Sequence, residues 1–368
     1  MIKFIKKFIR VLYINFIYKP TRIVYLFRDK TLYRGNSYYP EAPIHKTVLE
    51  VVSEQLMQIL KYGKENVFYF PYGFDVKSKS EMESYIHYLP FMELREFYNE
   101  KGKKDPSFIL RNKFMFSIFV ESMGYKACSN IALLDQYRCF DMKTKTYYDP
   151  TQYIESLDGA FFLKPLDGEC GNGILKFEVS NGYLLFNNQQ VSAQSLLEKV
   201  ASSKYLLQEA ISQHQLLSNL HPTSINTIRL ITIKSVSTNC VEVFPSILRI
   251  GTSGSVVDNT SQGGLAVGID MNGQLLEYGY YKPEYGCKVD RHPDTNIKFQ
   301  LYNIPYFNEA IKQAKDLHSM LPGIGSIGWD IAISEDGPIF IEGNDNWEIN
   351  GPQICHGGLK DKLVTLFA

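Results

Sequence analysis

Acidic and amide side chains near the carboxyl terminus have the spacing of an oxygen-rich ligand set. Asp330 lies in one run of β-branched apolar residues, and Glu342 lies in a second run, two residues before Asn344. A Glu-Asp-Gly-Pro turn at 335–338 separates the runs, which predicts a β-hairpin. Mg²⁺ prefers such hard oxygen ligands and completes its octahedron with water and phosphate oxygens. The alternative interpretation is a surface hairpin whose acids are solvated.

A lysine and a glycine-rich stretch precede this hairpin. Lys164 ends an apolar strand, and residues 167–173, Asp-Gly-Glu-Cys-Gly-Asn-Gly, lead into a second alternating strand. No Gly-Lys-Ser/Thr ending and no helix pattern follow, so the glycines are predicted to cap a hairpin. The N–H groups of such a loop bind polyphosphates, and Lys164 would add a point charge. An ordinary turn is an equal alternative.

A third strand, residues 204–211, ends in Gln208, Glu209 and Ala210. Its backbone would offer hydrogen bonds to an adenine edge, and the acid would take a ribose hydroxyl. Taken alone, the segment is better interpreted as an ordinary strand end, and its place between the lysine hairpin and the acidic hairpin is what favours the adenine site.

In this order, these segments resemble the ATP-grasp superfamily. The resemblance covers about residues 107–358 and is strongest to the sugar-transfer-associated branch, which accompanies bacterial surface-polysaccharide synthesis. Residues 221–229 resemble a signature of that branch, Arg249 lies on the next strand, and residues 257–265 are also typical of it. The resemblance implies an α+β fold of the ATP-grasp type, with a nucleotide held in a cleft between two α+β subdomains and an N-terminal helical or α/β extension.

The resemblance also implies roles for individual residues. Arg229, Arg249 and Lys164 are the predicted catalytic residues. The predicted ATP-binding residues are Lys113, Lys164, Gly168, Gly171, Asn172, Gly173, Gln208, Glu209 and Ala210. The predicted metal ligands are Asp330, Glu342 and Asn344, although many ATP-grasp ligases have a glutamate where this chain has Asp330. The predicted substrate residues are His221, Asn226, Asp258, Gly263 and Gly264. Strand-end ion pairing is an alternative for Arg249, and a structural role is an alternative for His221.

The function implied is an ATP-dependent carboxylate–amine ligase that acts through an acyl phosphate. The cofactors are ATP and one or two Mg²⁺ ions, with Mn²⁺ as an alternative, and the partners are a small-molecule or glycan acceptor and an amine donor. The expected product is an amide between a sugar acid and an amino acid or other amine in capsule or O-antigen synthesis. A phosphotransferase and a non-catalytic nucleotide-binding scaffold are the alternatives.

Composition indicates an enzyme of the cytoplasm. The 368 residues include 39 basic and 39 acidic side chains, whereas nucleic-acid binders carry a basic excess. We therefore expect no nucleic-acid partner. The six cysteines have no paired or zinc-binding spacing, which favours a reducing compartment.

The first thirty residues are the most basic part of the chain. They contain eight lysine or arginine residues and one acid, interspersed with apolar residues, and their longest uncharged run is too short to span a membrane. A basic amphipathic helix would contact the inner-membrane surface through residues 1–20. The alternative is a helix packed on the body of the protein.

We predict a basic segment at 1–35, a subdomain at 36–106 and an ATP-grasp domain at 107–368. The last divides into a lysine and glycine-loop part, about 155–212, and a metal-binding part, about 213–368. Apolar periodicity predicts helices at 47–62, 80–99, 113–123 and 306–320. Residues 66–72, rich in β-formers, predict a strand.

Overall fold

The computed structural model describes residues 13–99, 106–166, 173–187, 189–200 and 204–367. Two antiparallel sheets make up most of its centre, and helices precede, connect and follow them. This combination of helices and antiparallel sheets confirms the predicted α+β class. Among the described residues, no helix is both long enough and apolar enough to cross a membrane.

The helices begin with a π-helical turn (Ile14–Tyr18) that continues into the first α-helix. In chain order the α-helices are α1 (Lys19–Arg28), α2 (Thr31–Arg34), α3 (Val48–Tyr62), α4 (Lys79–Glu83), α5 (Tyr88–Tyr98), α6 (Phe108–Arg111), α7 (Lys113–Ser122), α8 (Pro150–Glu155), α9 (Ala193–Leu197), α10 (Gln215–Leu220), α11 (Phe307–Ser319), α12 (Asn350–His356) and α13 (Lys360–Phe367). A short 3₁₀ turn spans Thr260–Gln262.

The first sheet has the strand order β3-β2-β1-β8-β4-β5-β6-β7. Its strands are β1 (Asn130–Leu134), β2 (Cys139–Asp141), β3 (Tyr147–Tyr148), β4 (Gly159–Pro165), β5 (Leu175–Ser180), β6 (Tyr183–Phe186), β7 (Gln189–Val191) and β8 (Tyr205–Glu209). Helices α8 and α9 contribute to the apolar core on one face of this sheet, together with alternate residues of its strands. Strand β4 lies between β5 and β8, so Lys164 is in the interior of the sheet.

The second sheet has the order β13-β12-β11-β10-β9-β14-β15. Its strands are β9 (Thr227–Lys234), β10 (Val241–Ile250), β11 (Leu265–Ile269), β12 (Leu275–Tyr280), β13 (Lys288–Val289), β14 (Ser326–Ser334) and β15 (Gly337–Asn344). Side chains alternate between the two faces of a strand. Ile228 and Leu230 therefore point into the main core under α11 and α7, whereas Thr227 and Arg229 point to the opposite face.

That opposite face is covered at its two ends and carries charges between them. At one end, Ile231 and Ile233 pack with residues of α5, α13 and the segment after β15. At the other end, Ile247 and Ala266 pack under α12 and Tyr38 from the N-terminal segment. The N-terminal segment thus lies against the second sheet.

A short segment, residues 126–129, connects the two sheets, and we call it the strap. The Phe340 N–H on β15 donates to the Lys126 carbonyl oxygen at 2.9 Å, and Ala127 forms a parallel bridge with Phe340. Three residues further on, the Ser129 carbonyl oxygen accepts the Glu209 N–H of β8 at 3.2 Å. The end of β8 is therefore held close to the edge strand β15.

Several local predictions are confirmed. Helix α3 matches the predicted helix at 47–62, and Thr47 and Glu50 form a capping box at its start. Helices α7 and α11 match the predictions at 113–123 and 306–320. Strands β14 and β15 form the predicted acidic hairpin, and β4 and β5 form the predicted lysine hairpin.

Two predictions were wrong. Residues 66–72 form consecutive turns instead of a strand, because the Asn66 side chain accepts the Phe68 N–H and Gly73 adopts φ +68°. Their aromatic side chains fill a local core instead. The helix predicted at 80–99 is divided into α4 and α5. Pro90 lies in the first turn of α5, the place in a helix where a missing N–H costs least.

Candidate active site

Charged side chains form a row across three strands of the second sheet. Asp330 on β14 lies directly opposite Arg229 on β9 and Glu342 on β15. Directly opposed residues of neighbouring strands share a face, so these three side chains meet. Thr227, opposite Arg249 of β10, belongs to the next row on the same face. The strand register thus brings together acids and guanidinium groups that are far apart in the sequence.

Asp330 is the centre of this row. Arg229 donates to its two oxygens from Nε at 2.5 Å and from Nη2 at 3.1 Å, and Arg249 Nη2 lies 3.0 Å from Oδ2. The carboxylate is almost completely buried. Burial alone would raise the pKa of Asp330, but the charges of Arg229 and Arg249 outweigh it and hold the pKa at about 2. Asp330 is therefore an anion that neutralises two cations.

Arg249 is anchored on its other side by polar groups. Its Nε and Nη2 donate to the Thr227 hydroxyl at 3.0 and 2.7 Å, and its Nε lies 3.6 Å from Asp258. Asp258 also accepts the Thr227 N–H at 3.0 Å and its O–H. Burial raises the pKa of Asp258 more than the Arg249 charge lowers it. These contacts agree with the strand-end ion pair; the predicted catalytic role of Arg249 stays a prediction.

Glu342 and Asn344 are the more available metal ligands. Asn344 Nδ2 donates to Glu342 Oε1 at 3.1 Å, and both side chains are only partly buried. Burial and the neighbouring Asp330 charge raise the pKa of Glu342. A divalent cation would relieve this repulsion, so the pair fits Mg²⁺, which needs only one or two carboxylates beside phosphate oxygens. Asp330 fits less well, because guanidinium groups contact both of its oxygens.

Lys164 of the first sheet lies on β4, which pairs with β8, the strand whose end the strap holds close to β15. Burial raises the pKa of the Cys128 thiol in the strap, and the charges of both Lys164 and Glu342 act on it, with opposite signs. Cys128 of the strap therefore lies within electrostatic range of both the lysine and the acid. Lys164 Nζ also lies 5.5 Å from the centre of the Phe162 ring, and Lys176 Nζ lies 5.9 Å from it.

Lys113 is the first residue of α7, after the Asn112 cap. Side chains of α6 and α7, Leu110 and Phe116, pack against Gly343 of β15, where an added Cβ would lie 2.7 Å from Leu110. This close packing fixes the start of α7 beside the strand that carries Glu342. Lys113 and Glu342 are thus held by adjoining elements.

The predicted adenine hinge differs from our expectation in its backbone. The Glu209 N–H donates to Ser129, and the Ala210 N–H donates to Ala160 at 2.8 Å, so neither is free for an adenine edge. Strand pairing continues further along this segment than the sequence indicates. Gln208 is buried, its Nε2 donates to Asn130 at 2.7 Å, and its Oε1 has no hydrogen-bond partner. An adenine amino group is one donor that would satisfy this oxygen.

The glycine-rich loop is described only in part. Gly168, Gly171 and Asn172 lie outside the described residues. Gly173 has φ +74°, and an added Cβ there would lie 3.1 Å from Pro165, so glycine is required for the return into β5.

The side chains of the predicted substrate residues His221, Asn226 and Asp258 form hydrogen bonds within the protein. Asn226 Nδ2 donates to the carbonyls of Leu217 and His221, both at 2.9 Å. The His221 ring bonds the Ser224 and Thr223 hydroxyls and is almost completely buried.

Gly263 and Gly264 shape the loop that carries Asp258. Gly263 has φ +92°, and an added Cβ at Gly264 would lie 2.6 Å from the Asp258 carbonyl. The side chains of His221, Asn226 and Asp258 are hydrogen-bonded within the protein, and the contact of the five residues with substrate stays a prediction. Sequence analysis missed Thr227, although it lies two residues before Arg229 and so must share its face.

Comparison with known proteins identifies a family. The family model for sugar-transfer associated ATP-grasp proteins matches residues 93–365, well over half of the chain. No curated protein matches the chain.

Solved structures match this chain at low similarity. An N5-carboxyaminoimidazole ribonucleotide synthetase in complex with ADP is 14% identical, with 66% of this chain and 46% of that one covered and a TM-score of 0.39. D-alanine-D-alanine ligase from Helicobacter pylori is 13% identical, with coverages of 71% and 58% and a TM-score of 0.38. L-amino acid ligase from Bacillus licheniformis is 12% identical, with coverages of 84% and 54% and a TM-score of 0.38.

The chain spans about half of the length of these structures, and at these TM-scores the likeness carries no functional conclusion. The match to the family model does not depend on them. The chain belongs to the sugar-transfer associated ATP-grasp family.

Proposed function

We propose that the protein is an ATP-dependent carboxylate–amine ligase that acts through an acyl phosphate. The acceptor would be a sugar acid, the second substrate an amino acid or another amine, and the setting the synthesis of a bacterial capsule or O-antigen in the cytoplasm. The observation that carries the proposal is the Arg229–Asp330–Glu342 row, on the sheet that the strap joins to the sheet of Lys164. Family membership supports the use of ATP.

The row supplies what phosphoryl transfer needs from a protein. Phosphoryl transfer depends mainly on positioning and on neutralising charge. Lys113 and Lys164 would bind the phosphates, and residues 168–173 would cover them and exclude water, which hydrolyses acyl phosphates. Mg²⁺ bound with ATP would be held by Glu342 and Asn344, with Asp330 behind them, and would neutralise the phosphate oxygens.

The two guanidinium groups would then orient the reacting carboxylate. A carboxylate oxygen of the acceptor attacks the γ-phosphorus, the bond to the β-phosphate oxygen breaks, and ADP leaves. The amine next attacks the acyl carbon, loses a proton, and displaces inorganic phosphate, which leaves an amide. Arg229 and Arg249 are held rigidly by Asp330 and Thr227, so they present fixed donors throughout.

The proposal is tested by measuring ADP and inorganic phosphate with panels of sugar acids and amines. A ligase requires both co-substrates and releases phosphate. A kinase requires one acceptor and retains the phosphate on it, and a scaffold releases neither product. Either of the last two results would overturn the ligase proposal.

Lys164→Ala should abolish turnover with little effect on the fold, because the lysine would neutralise phosphate charge. Lys199→Ala, an exposed lysine in the same part of the chain, is the matched control and should retain turnover. Wild-type turnover by the Lys164→Ala variant would remove this residue from the site.

Glu342→Gln should weaken Mg²⁺-dependent ATP binding about tenfold or more, since a charged ligand is lost. Glu178→Gln, on an exposed position of β5, should leave the Mg²⁺ titration unchanged. Identical titrations for Glu342→Gln and the wild type would contradict the metal assignment.

A further inference from the structure

The N-terminal helices expose an apolar stripe on each of two neighbouring elements. On the π turn and α1 it consists of Ile17, Pro20, Val24 and Phe27, at spacings of three and four residues that fall on one helix face. On α3 it consists of Leu49, Met57 and Leu60, with Ser53 between them. Leu49 is the most exposed of these side chains, at 81%, and the neighbouring Phe16, which we include with them, is 75% exposed. We call these residues the two-helix surface.

The two helices are held together as one unit. Leu26 of α1 and Ile59 of α3 are completely buried in a shared cluster. Lys19 Nζ donates to the Leu60 carbonyl oxygen at 2.8 Å, so the start of α1 lies beside the end of α3. The exposed side chains are therefore carried by a packed pair of helices, and their exposure is a property of the folded protein.

Basic residues accompany the apolar stripe of the π turn and α1. Residues 13–34 include five basic side chains, Lys19, Arg22, Arg28, Lys30 and Arg34, and a single acid, Asp29. Arg22 is paired with Glu65, which leaves the other four as the local excess. The whole chain is balanced at 39 basic and 39 acidic residues, so this is a local concentration of positive charge. Tyr13 and Tyr25 are also exposed, and tyrosine is enriched where apolar and aqueous phases meet.

We propose that the two-helix surface binds to an anionic lipid membrane, with the helices lying in the interface. Apolar side chains would enter the boundary of the acyl chains, and the basic side chains would contact anionic headgroups. This surface extends beyond residues 1–20, because α1 continues to Arg28 and α3 supplies Leu49, Met57 and Leu60. A second copy of the chain fits less well, since a two-fold contact places the same basic patch on both sides. The inference does not depend on the proposed ligase activity.

Co-sedimentation of the full chain with vesicles tests the proposal. The wild type should sediment with vesicles of phosphatidylcholine containing about one third phosphatidylglycerol and remain in solution with pure phosphatidylcholine. Each basic residue near an anionic surface contributes about fivefold in binding. The Arg28→Glu and Lys30→Glu double variant should therefore bind at least about 25-fold more weakly.

Apolar variants test the stripes separately. Val24→Ser with Phe27→Ser, and Leu49→Ser with Leu60→Ser, should each weaken sedimentation at least about tenfold. These side chains are exposed, so the thermal unfolding temperature should stay close to that of the wild type. Two matched controls should bind like the wild type. Tyr137→Ser changes a side chain that is 82% exposed in the turn between β1 and β2, and Lys312→Glu changes an exposed residue of α11.

Three results would overturn the proposal. The first is a wild type that stays in solution with anionic vesicles. The second is equal sedimentation of the stripe variants and their controls. The third is a wild-type dimer in light scattering that the stripe variants dissociate, because a second copy would then cover the surface. ATP turnover is measured separately, so loss of vesicle binding with intact turnover is distinct from failure of the proposed function.

Discussion

A single buried carboxylate holds the candidate site together. Asp330 has two guanidinium neighbours and lies opposite a second acid, and its oxygens accept nitrogen donors at 2.5 to 3.1 Å. Removing one member of a buried ion cluster leaves the others without compensation, which costs more than the cluster contributes when it is complete. Asp330 is therefore as important for the position of Arg229 and Arg249 as for any direct contact with a ligand.

We expect Asp330→Asn to lower the free energy of unfolding by about 3 to 5 kcal/mol, because it leaves the partly buried Arg229 without its anion and removes one of the two anions beside Arg249. Asp336→Asn, on the turn of the same hairpin and 84% exposed at its side chain, should change it by less than about 0.5 kcal/mol. Urea unfolding monitored by tryptophan fluorescence measures both. Equal stability of the two variants would show that the cluster does not stabilise the sheet.

At the scale of elements, a buried histidine attaches helix α11 to the second sheet. The His318 Nε2–H donates to the Ile324 carbonyl at 2.9 Å, and Nδ1 accepts the Thr232 hydroxyl of β9 at 2.8 Å. Trp329 Nε1 donates to the same hydroxyl at 2.7 Å. Adding a proton to Nδ1 would break this chain, and burial lowers the pKa of His318 to about 4.

This arrangement predicts a loss of stability in mild acid. Between pH 6.5 and about 4 the unfolded chain binds a proton at His318 and the folded chain does not, so the free energy of unfolding falls as pH falls. His318 alone should contribute a decrease of about 2 kcal/mol between pH 7 and pH 5.

Urea titrations of the wild type and His318→Gln at both pH values measure this decrease. The variant should lose about 2 kcal/mol less than the wild type over the same interval. A residual decrease is expected in the variant, because burial also lowers the pKa of His87 to about 4. Equal decreases in the two proteins would contradict the assignment to His318.

At the scale of the whole molecule, the segment around Tyr72 and Ile86 is joined to the last helices of the chain. Gln353 of α12 is completely buried, donates to the Tyr72 hydroxyl and the Ile86 carbonyl at 3.1 Å, and accepts the Ile86 N–H at 2.9 Å. The Tyr72 hydroxyl in turn donates to Asn350. The family match begins at residue 93, but residues before it cover the end of the second sheet and join its last helices.

We expect Gln353→Leu to lower the free energy of unfolding by about 2 to 4 kcal/mol, because it leaves the Ile86 N–H and C=O buried without partners. Gln194→Leu, at an exposed position of α9, should have little effect. Urea unfolding detects the difference, and limited proteolysis should cut the Gln353→Leu variant faster within residues 66–87. A wild-type cleavage pattern would contradict the role of Gln353 in holding this segment.

Local patterns were sufficient for a large part of the fold. The acidic and lysine hairpins follow from alternating apolar residues around turn sequences, and α3 follows from its apolar period and its Thr47 cap. Residues 66–72 were mistaken for a strand because aromatic residues are frequent in strands. Here the same residues fill a local core without strand pairing. The small strands β1 to β3 were missed, since each is short and gains its stability from partners distant in the chain.

The residue types of the candidate site were visible in the sequence by themselves, including both acids, the amide, the lysines and Arg229. Their partners were decided only by the tertiary structure. Arg229 and Asp330 are separated by 101 positions and meet because β9 pairs with β14 in one register. Likewise, the N–H groups of Glu209 and Ala210 donate to the carbonyl oxygens of Ser129 and Ala160, which are far away in the sequence. Sequence alternation specifies which face a side chain takes, whereas the identity of its neighbours depends on long-range pairing, which no local pattern encodes.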